Sequence, residues 1–166
     1  MTEVVLTGVG LVCPAGLTLE AALKARLPLP TSEDLERYPA HAQLPNVLPV
    51  PHTFTLKGIV KKRKDIKLMA RANQFAVAAS DEAIKDAGLA ETHLNTAGLF
   101  MAVGREPSDL KALIPSVMHS VRDQDLDLDT LFSEGLHWIN PLSSLKTLPN
   151  MSLAHTAIHL GCRGPN

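Results

Sequence analysis

The sequence predicts an α/β fold with a mostly parallel sheet packed between helices, and three stretches predict it. Residues 3–9 are short, apolar and rich in β-branched side chains, which argues for a buried strand. Residues 65–87 carry Leu68, Met69, Ala72, Phe75, Ala76, Ala79 and Ala83 at steps of three and four, one apolar helical stripe. Residues 97–103, AGLFMAV, read as a second buried strand running into Gly104. A strand, a long helix and a strand in that order suggest a parallel crossover.

In chain order, Gly8 and Gly10 follow the first strand and superficially resemble a dinucleotide fingerprint. The third glycine of that motif would fall at Cys13, Pro14 comes next, and no acidic residue follows a second strand at the expected distance. A tight strand-to-loop turn fits better than a nicotinamide site. Thr18 is placed to cap a short helix ending near Arg26. Six of the twelve prolines fall between Leu27 and Pro51, a density at which no periodicity survives. Residues 27–64 therefore form a loop or cap region within one domain spanning 1–166. His41 and His52 fall in that region without metal-site spacing.

The run Lys61-Lys62-Arg63-Lys64 is the strongest charge cluster, read first as a solvated approach to the helix and second as a dock for an acidic partner. Gly88 is placed to end the long helix in the left-handed conformation. Ser108 can cap a helix through about Ser120, kinked at Pro115. Asp123, Asp125, Asp127 and Asp129 alternate, with Glu134 twelfth in the count, which partly mimics a calcium loop. Leu128 stands where the loop's sharp turn requires glycine, so an acidic surface turn fits better. Trp138 reads as packing.

The last stretch, NPLSSLKTLPNMSLAHTAIHLGCRGPN, reads as a loop, a helix capped by Asn150, and a glycine-rich turn at Gly161 and Gly164. His155 and His159 lie four apart, as zinc pairs do, but the Glu of H-E-x-x-H and a third ligand are missing. A polar stripe or a backbone-bonded core histidine fits better. Cys162 sits at a helix C-terminus, without the positive helix end that activates a thiol.

Composition bounds the rest. The 166 residues make one domain's worth of chain, with 45% hydrophobic and 20% charged residues, as in ordinary globular proteins. The net charge of -1 offers no electrostatic case for nucleic acid or membrane. Two cysteines give no disulfide framework, and no apolar run has membrane-spanning length, so a cytoplasmic setting is expected. The N-terminus lacks the basic start of a signal peptide.

Three of these stretches carry a resemblance. The pattern N-P…L-P-N-M…H…I…G-x-R-G-P-N resembles the segment before the nucleophile strand of the β-ketoacyl-ACP synthases, condensing enzymes of the thiolase-like fold. EVVLTGVGLVCPAG resembles that family's first strand and turn. KLMARANQFAVAASDEAIKDAGL, with Met69 and Arg71 as M-x-R, resembles its long helix. The resemblance implies the N-terminal half of a thiolase-like fold and decarboxylative condensation of acyl units in fatty acid or polyketide synthesis, without a cofactor or metal. The family's nucleophilic cysteine and its two further catalytic side chains, commonly histidines, would all lie outside residues 1–166, so no catalytic residue carries over and the chain alone is expected to be inactive. Neither Cys13 nor Cys162 matches the nucleophile.

The resemblance places Gly104 and Arg105 at the turn beside the acyl pocket, and Asn150 and Met151 near the pocket and a dimer interface. Acyl carrier protein becomes the acidic partner for Lys61, Lys62, Arg63 and Lys64, and a second copy or a partner ketosynthase subunit is expected. The turn Gly104-Arg105-Glu106-Pro107 keeps only the first of the family's glycines, which questions the pocket. The alternative is a non-catalytic, truncated ketosynthase-like protein that binds a synthase or carrier protein. Either way, apolar surface on the last helix should be left uncovered, calling for self-association or a partner.

Overall fold

The computed structural model describes residues 3–25, 50, 53–104 and 110–165. Most of the proline-rich region, with His41 and His52, lies outside them, as do Ser108 and the turn residues Arg105, Glu106 and Pro107.

Thr18 caps helix α1 (Leu19–Lys24), its hydroxyl accepting from the Ala21 amide at 3.1 Å. The long helix expected over 65–87 is divided. A 3-10 turn, Asp65–Leu68, ends at Met69, and Ala70 stays extended before α2 (Arg71–Asp86) begins. Arg71 helps fix the division: it donates to the Phe54 carbonyl at 2.8 Å and lies 4.9 and 4.8 Å from the ring centroids of Phe54 and Phe75. Gly88, at φ +62°, ends the helix as expected. A short α3 (Glu91–Leu94) follows, then α4 (Leu110–His119), which accommodates Pro115 internally.

A two-residue hairpin, β1 (Val121–Arg122) and β2 (Asp125–Leu126), turns through Asp123 and Gln124 at φ +49° and +70°. Asp127 then caps α5 (Leu128–Ser133), accepting from the Asp129 and Thr130 amides. The alternating aspartates thus make a hairpin tip and a helix cap. A 3-10 turn, Gly135–Trp138, packs back on α4; Trp138 is more than half exposed, with its ring 5.4 Å from that of His119. Helix α6 (Ser144–Thr147) leads to α7 (Met151–Leu160), ended by Gly161 at φ +75°.

The expected strands are corrected. Neither 3–9 nor 97–103 forms a strand, and among the described residues the hairpin, which is antiparallel, supplies the strand pairing. The parallel crossover is accordingly not formed there. Apolar alternation marks which side chains point inward, but a strand also needs a neighbour with which to share backbone bonds. Val4, Leu6 and Phe100 remain 93, 85 and 83% exposed. Both segments are nonetheless seated. A Cβ on Gly8 would lie 2.6 Å from the Ala87 nitrogen, and one on Gly10 would lie 2.5 Å from the Ala83 nitrogen, so the first segment lies directly on the α2 backbone. The Val9 amide donates to Asp86 Oδ2 at 2.8 Å. The second segment meets the chain's last turn, where the Leu99 amide donates to the Pro165 carbonyl at 2.9 Å.

The core gathers at one end of α2. Leu56, Met69, Val77 and Ala78 are buried together, flanked by Phe54 and Ile66. The buried line of α2 runs through Asn73, Val77 and Ala78, one step round from the stripe read off the sequence. The difference arises because α7 crosses α2 on a polar track. Ser152 donates to Asn73 Oδ1 at 2.8 Å, Thr156 donates to the Ser152 carbonyl at 2.8 Å, and His159 Nε2 meets Asp81 Oδ1 at 3.0 Å.

Candidate functional site

The α2–α7 crossing opens into a cleft of about 530 Å³, bounded by α2, by residues 101–104 and by the 148–152 entry to α7. Ala76, Ala79 and Met101 supply an apolar wall, while Asn73 and Ser152 supply the polar part. Small residues on α2 are what leave the space, since each alanine removes volume that a larger side chain would fill. The Asn73 carboxamide is nearly fully buried: its Oδ1 takes the Ser152 hydroxyl, and its Nδ2 has no protein partner. A buried amide donor facing a cleft calls for an acceptor.

Gly104 lines this cleft, exposed, with open space where a side chain would stand. Arg105, its expected companion, lies outside the described residues. Asn150 is exposed at the start of α7, where its side chain makes no cap bond, contrary to the expected role. Its backbone is already helical there, so its amide oxygen is not turned onto the first-turn N–H groups. Met151 is half-buried, and neither it nor Asn150 lines the cleft, although Ser152 next to them does. Sequence reasoning missed Asn73 and Ser152. The available signal was a short polar residue beside the alanine-rich stripe of the long helix, one step round from it.

Lys61, Lys62, Arg63 and Lys64 are exposed in the turn before the 3-10 helix. Lys61 Nζ stands 3.7 Å from Glu91 Oε1, both side chains nearly free in water, so the pair adds little stability. The cluster remains a positive surface.

The final helix's histidines are engaged separately. His159 pairs with Asp81, which also holds Lys85 Nζ at 2.5 Å. Burial works to raise the Asp81 carboxyl, and the hydrogen bonds from Lys85 and His159 outweigh it, leaving the group below the ordinary carboxylate value of 3.8. Burial pushes the His155 ring below the ordinary 6.5, against a backbone hydrogen bond with Leu68 and the charge of Asp65. Among the described residues no group of three His, Cys, Asp or Glu side chains is placed to hold a metal ion. Burial raises the Cys162 thiol above 9.0, the opposite of nucleophile activation. The Cys13 thiol lies 3.5 Å from the Gly16 carbonyl, in a tight turn.

The profile of the β-ketoacyl synthase N-terminal domain matches residues 1–166. The chain is 26% identical over 178 residues to 3-oxoacyl-[acyl-carrier-protein] synthase 2 of Vibrio cholerae, covering 99% of this chain and 37% of that protein. It is 28% identical to the synthase of the same name from Vibrio harveyi, again covering 99% of the chain and 37% of the relative. Against the Synechocystis synthase 2 it is 35% identical over 63% of the chain and 22% of the relative. Among solved structures, the ishigamide ketosynthase/chain length factor superposes with a TM-score of 0.60 at 19% identity, over 98% of this chain and 38% of that one. A β-ketoacyl synthase from Burkholderia phymatum superposes with a TM-score of 0.55 at 19% identity, over 99% and 38%. These structural matches speak to fold, and they carry the thiolase-like ketosynthase architecture that the two-stranded hairpin alone would not reveal. The chain spans little more than a third of the length of the Vibrio relatives, and among its described residues no helix is long and apolar enough to cross a membrane. The chain belongs to the β-ketoacyl synthase N-terminal domain family.

Proposed function

We propose that residues 1–166 form the N-terminal portion of a 3-oxoacyl-ACP synthase. The single observation that carries this reading is the family match over the whole chain. The complete reaction moves an acyl group from a carrier thioester onto a cysteine thiolate and releases the carrier thiol. Loss of CO2 from a malonyl thioester then generates the carbanion equivalent that attacks the acyl carbon, and the cysteine leaves as thiolate. The described residues supply the framework for that chemistry. The alanine-lined cleft beside Gly104 offers an apolar wall to an acyl chain, and the Asn73 amide offers a donor to a carbonyl. The family resemblance assigns Arg105, Asn150 and Met151 to the neighbourhood of an acyl pocket. Lys61, Lys62, Arg63 and Lys64 offer acyl carrier protein a positive surface, which acts mainly on encounter rate. The uncovered apolar side chains, Ile158 of α7 among them, fit a second copy or a ketosynthase subunit.

The non-catalytic alternative draws on the sequence Gly104-Arg105-Glu106-Pro107, which keeps only the first of the family's glycines. The test is the intact mass of the protein purified from its source, with copurifying chains identified and condensation assayed with acyl- and malonyl-carrier protein. A mass well above 17.9 kDa, or a tight partner bearing a reactive cysteine, together with turnover, supports the synthase. A stable chain of this mass that binds carrier protein without turnover overturns it in favour of the binding protein.

A further inference from the structure

A second cavity, of about 400 Å³, lies between residues 60–69 and the outer half of α7. Val60, Leu68, Met69 and Ile158 make its apolar lining. His155 also lines it and is only 7% exposed, yet its buried Nε2 has no partner. A histidine ring nitrogen donates or accepts according to the tautomer, so a group able to do both meets it in either form. The unmet demand inside the cavity is thus for a polar partner to His155 Nε2, which a hydroxyl supplies as donor or as acceptor.

The charges nearby set the other end of a ligand. Asp65 lines the same cavity and faces His155, so a carboxylate placed deep beside them is repelled while a hydroxyl or N–H is welcome. Lys61 and Lys62 also line the cavity; Lys61 is shared with Glu91, and Lys62 has no ion pair among the described residues. His159 is committed to Asp81.

We propose that this cavity binds a compact aliphatic anion carrying a hydroxyl at the end away from its charge, with the hydroxyl bonded to His155 Nε2, the aliphatic body against Met69 and Ile158, and the anionic group at Lys62. The site is separate from the cleft beside Gly104. It does not depend on carrier-protein docking, because the ligand is a free small molecule.

The test uses the purified protein with histidine labelled at the ring Cε1, titrated with 6-hydroxyhexanoate, whose hydroxyl and carboxylate stand at opposite ends, and, separately, with its deoxy counterpart hexanoate. The His155 resonance should shift saturably, and the hydroxy acid should bind about fivefold more tightly, the equivalent of one net hydrogen bond. Lys62→Glu should weaken binding by about tenfold, as loss and reversal of a charge contact. Ile158→Asp, at a position exposed enough for the fold to tolerate it, should abolish the shift. No shift with either acid overturns the proposal. Equal affinity for the two acids does so as well, since a bridging water would then satisfy Nε2, and so does undiminished binding by Lys62→Glu.

Discussion

Gly10→Ala tests whether the N-terminal segment is truly seated on α2. The added Cβ would lie 2.5 Å from the Ala83 nitrogen, 3.0 Å from the Ala79 carbonyl carbon, and closer still to the Ala79 oxygen. All three are helix backbone atoms, so no side chain can swing away. Relieving the Ala83 nitrogen alone requires the segment to rise by about 0.9 Å and the nearer Ala79 oxygen requires more, which also pulls the Val9 amide from Asp86. Overpacking of this kind costs about 1–3 kcal/mol, and the smaller unfolded-state gain of Gly→Ala offsets about 0.5 kcal/mol of it. A net loss of about 2 kcal/mol corresponds to a Tm lower by about 4–8 °C in a chain of this size. Thermal unfolding followed by far-UV circular dichroism reads it. Gly104→Ala is the control: nothing stands within 4 Å of its added carbon, and stability should change by less than about 0.5 kcal/mol. A Gly10→Ala protein as stable as its parent would refute the close approach.

Ser152→Ala removes the donor to Asn73 Oδ1 and leaves a buried carboxamide with neither end bonded, at a cost of about 1–3 kcal/mol. Urea denaturation should register this, and pairing it with Asn73→Ala should cost less than the sum of the two single changes. The pH dependence has a definite sign. His155 binds its proton less readily folded than unfolded, so its contribution is complete above 6.5 and declines as pH falls below that value. Asp81 acts lower: its contribution is present above 3.8 and is lost only as pH falls through its depressed folded value. Urea midpoints should therefore drop between pH 7.5 and 5.5, and His155→Gln should flatten that drop while Asp81→Asn leaves it in place. An unchanged slope in His155→Gln would remove the buried ring from the account.

What the sequence made legible was local. The end of α7 at Gly161, the end of α2 at Gly88 and the Thr18 cap each follow from one residue's backbone or side-chain preference. The expected strands failed for the complementary reason. Their alternation is present, with Ala97, Leu99 and Met101 turned inward and Gly98, Phe100 and Ala102 outward, but pairing depends on a neighbour that no local pattern specifies. The break at Met69 and Ala70 was also hidden, because both residues are good helix formers and Phe54, whose carbonyl holds Arg71, lies far back in sequence. At the site, Gly104 was found through family position. Asn73 became visible only once α7 was laid across α2.

That crossing also sets a schedule for synthesis. Asp86 closes α2 and Leu160 closes α7, 74 positions later. At about 5–20 residues per second, a ribosome delivers the second helix about 4–15 s after the first. Throughout that interval Asn73 and Asp81 lack the Ser152 and His159 side chains that will bond them, whereas α2 itself forms within about a microsecond. Asn73 on the same face then offers a waiting chain a reason to stay wet: its amide can hold water until Ser152 arrives to claim it. A polar seam between two late-meeting helices lowers the stickiness of the nascent chain during its most exposed seconds.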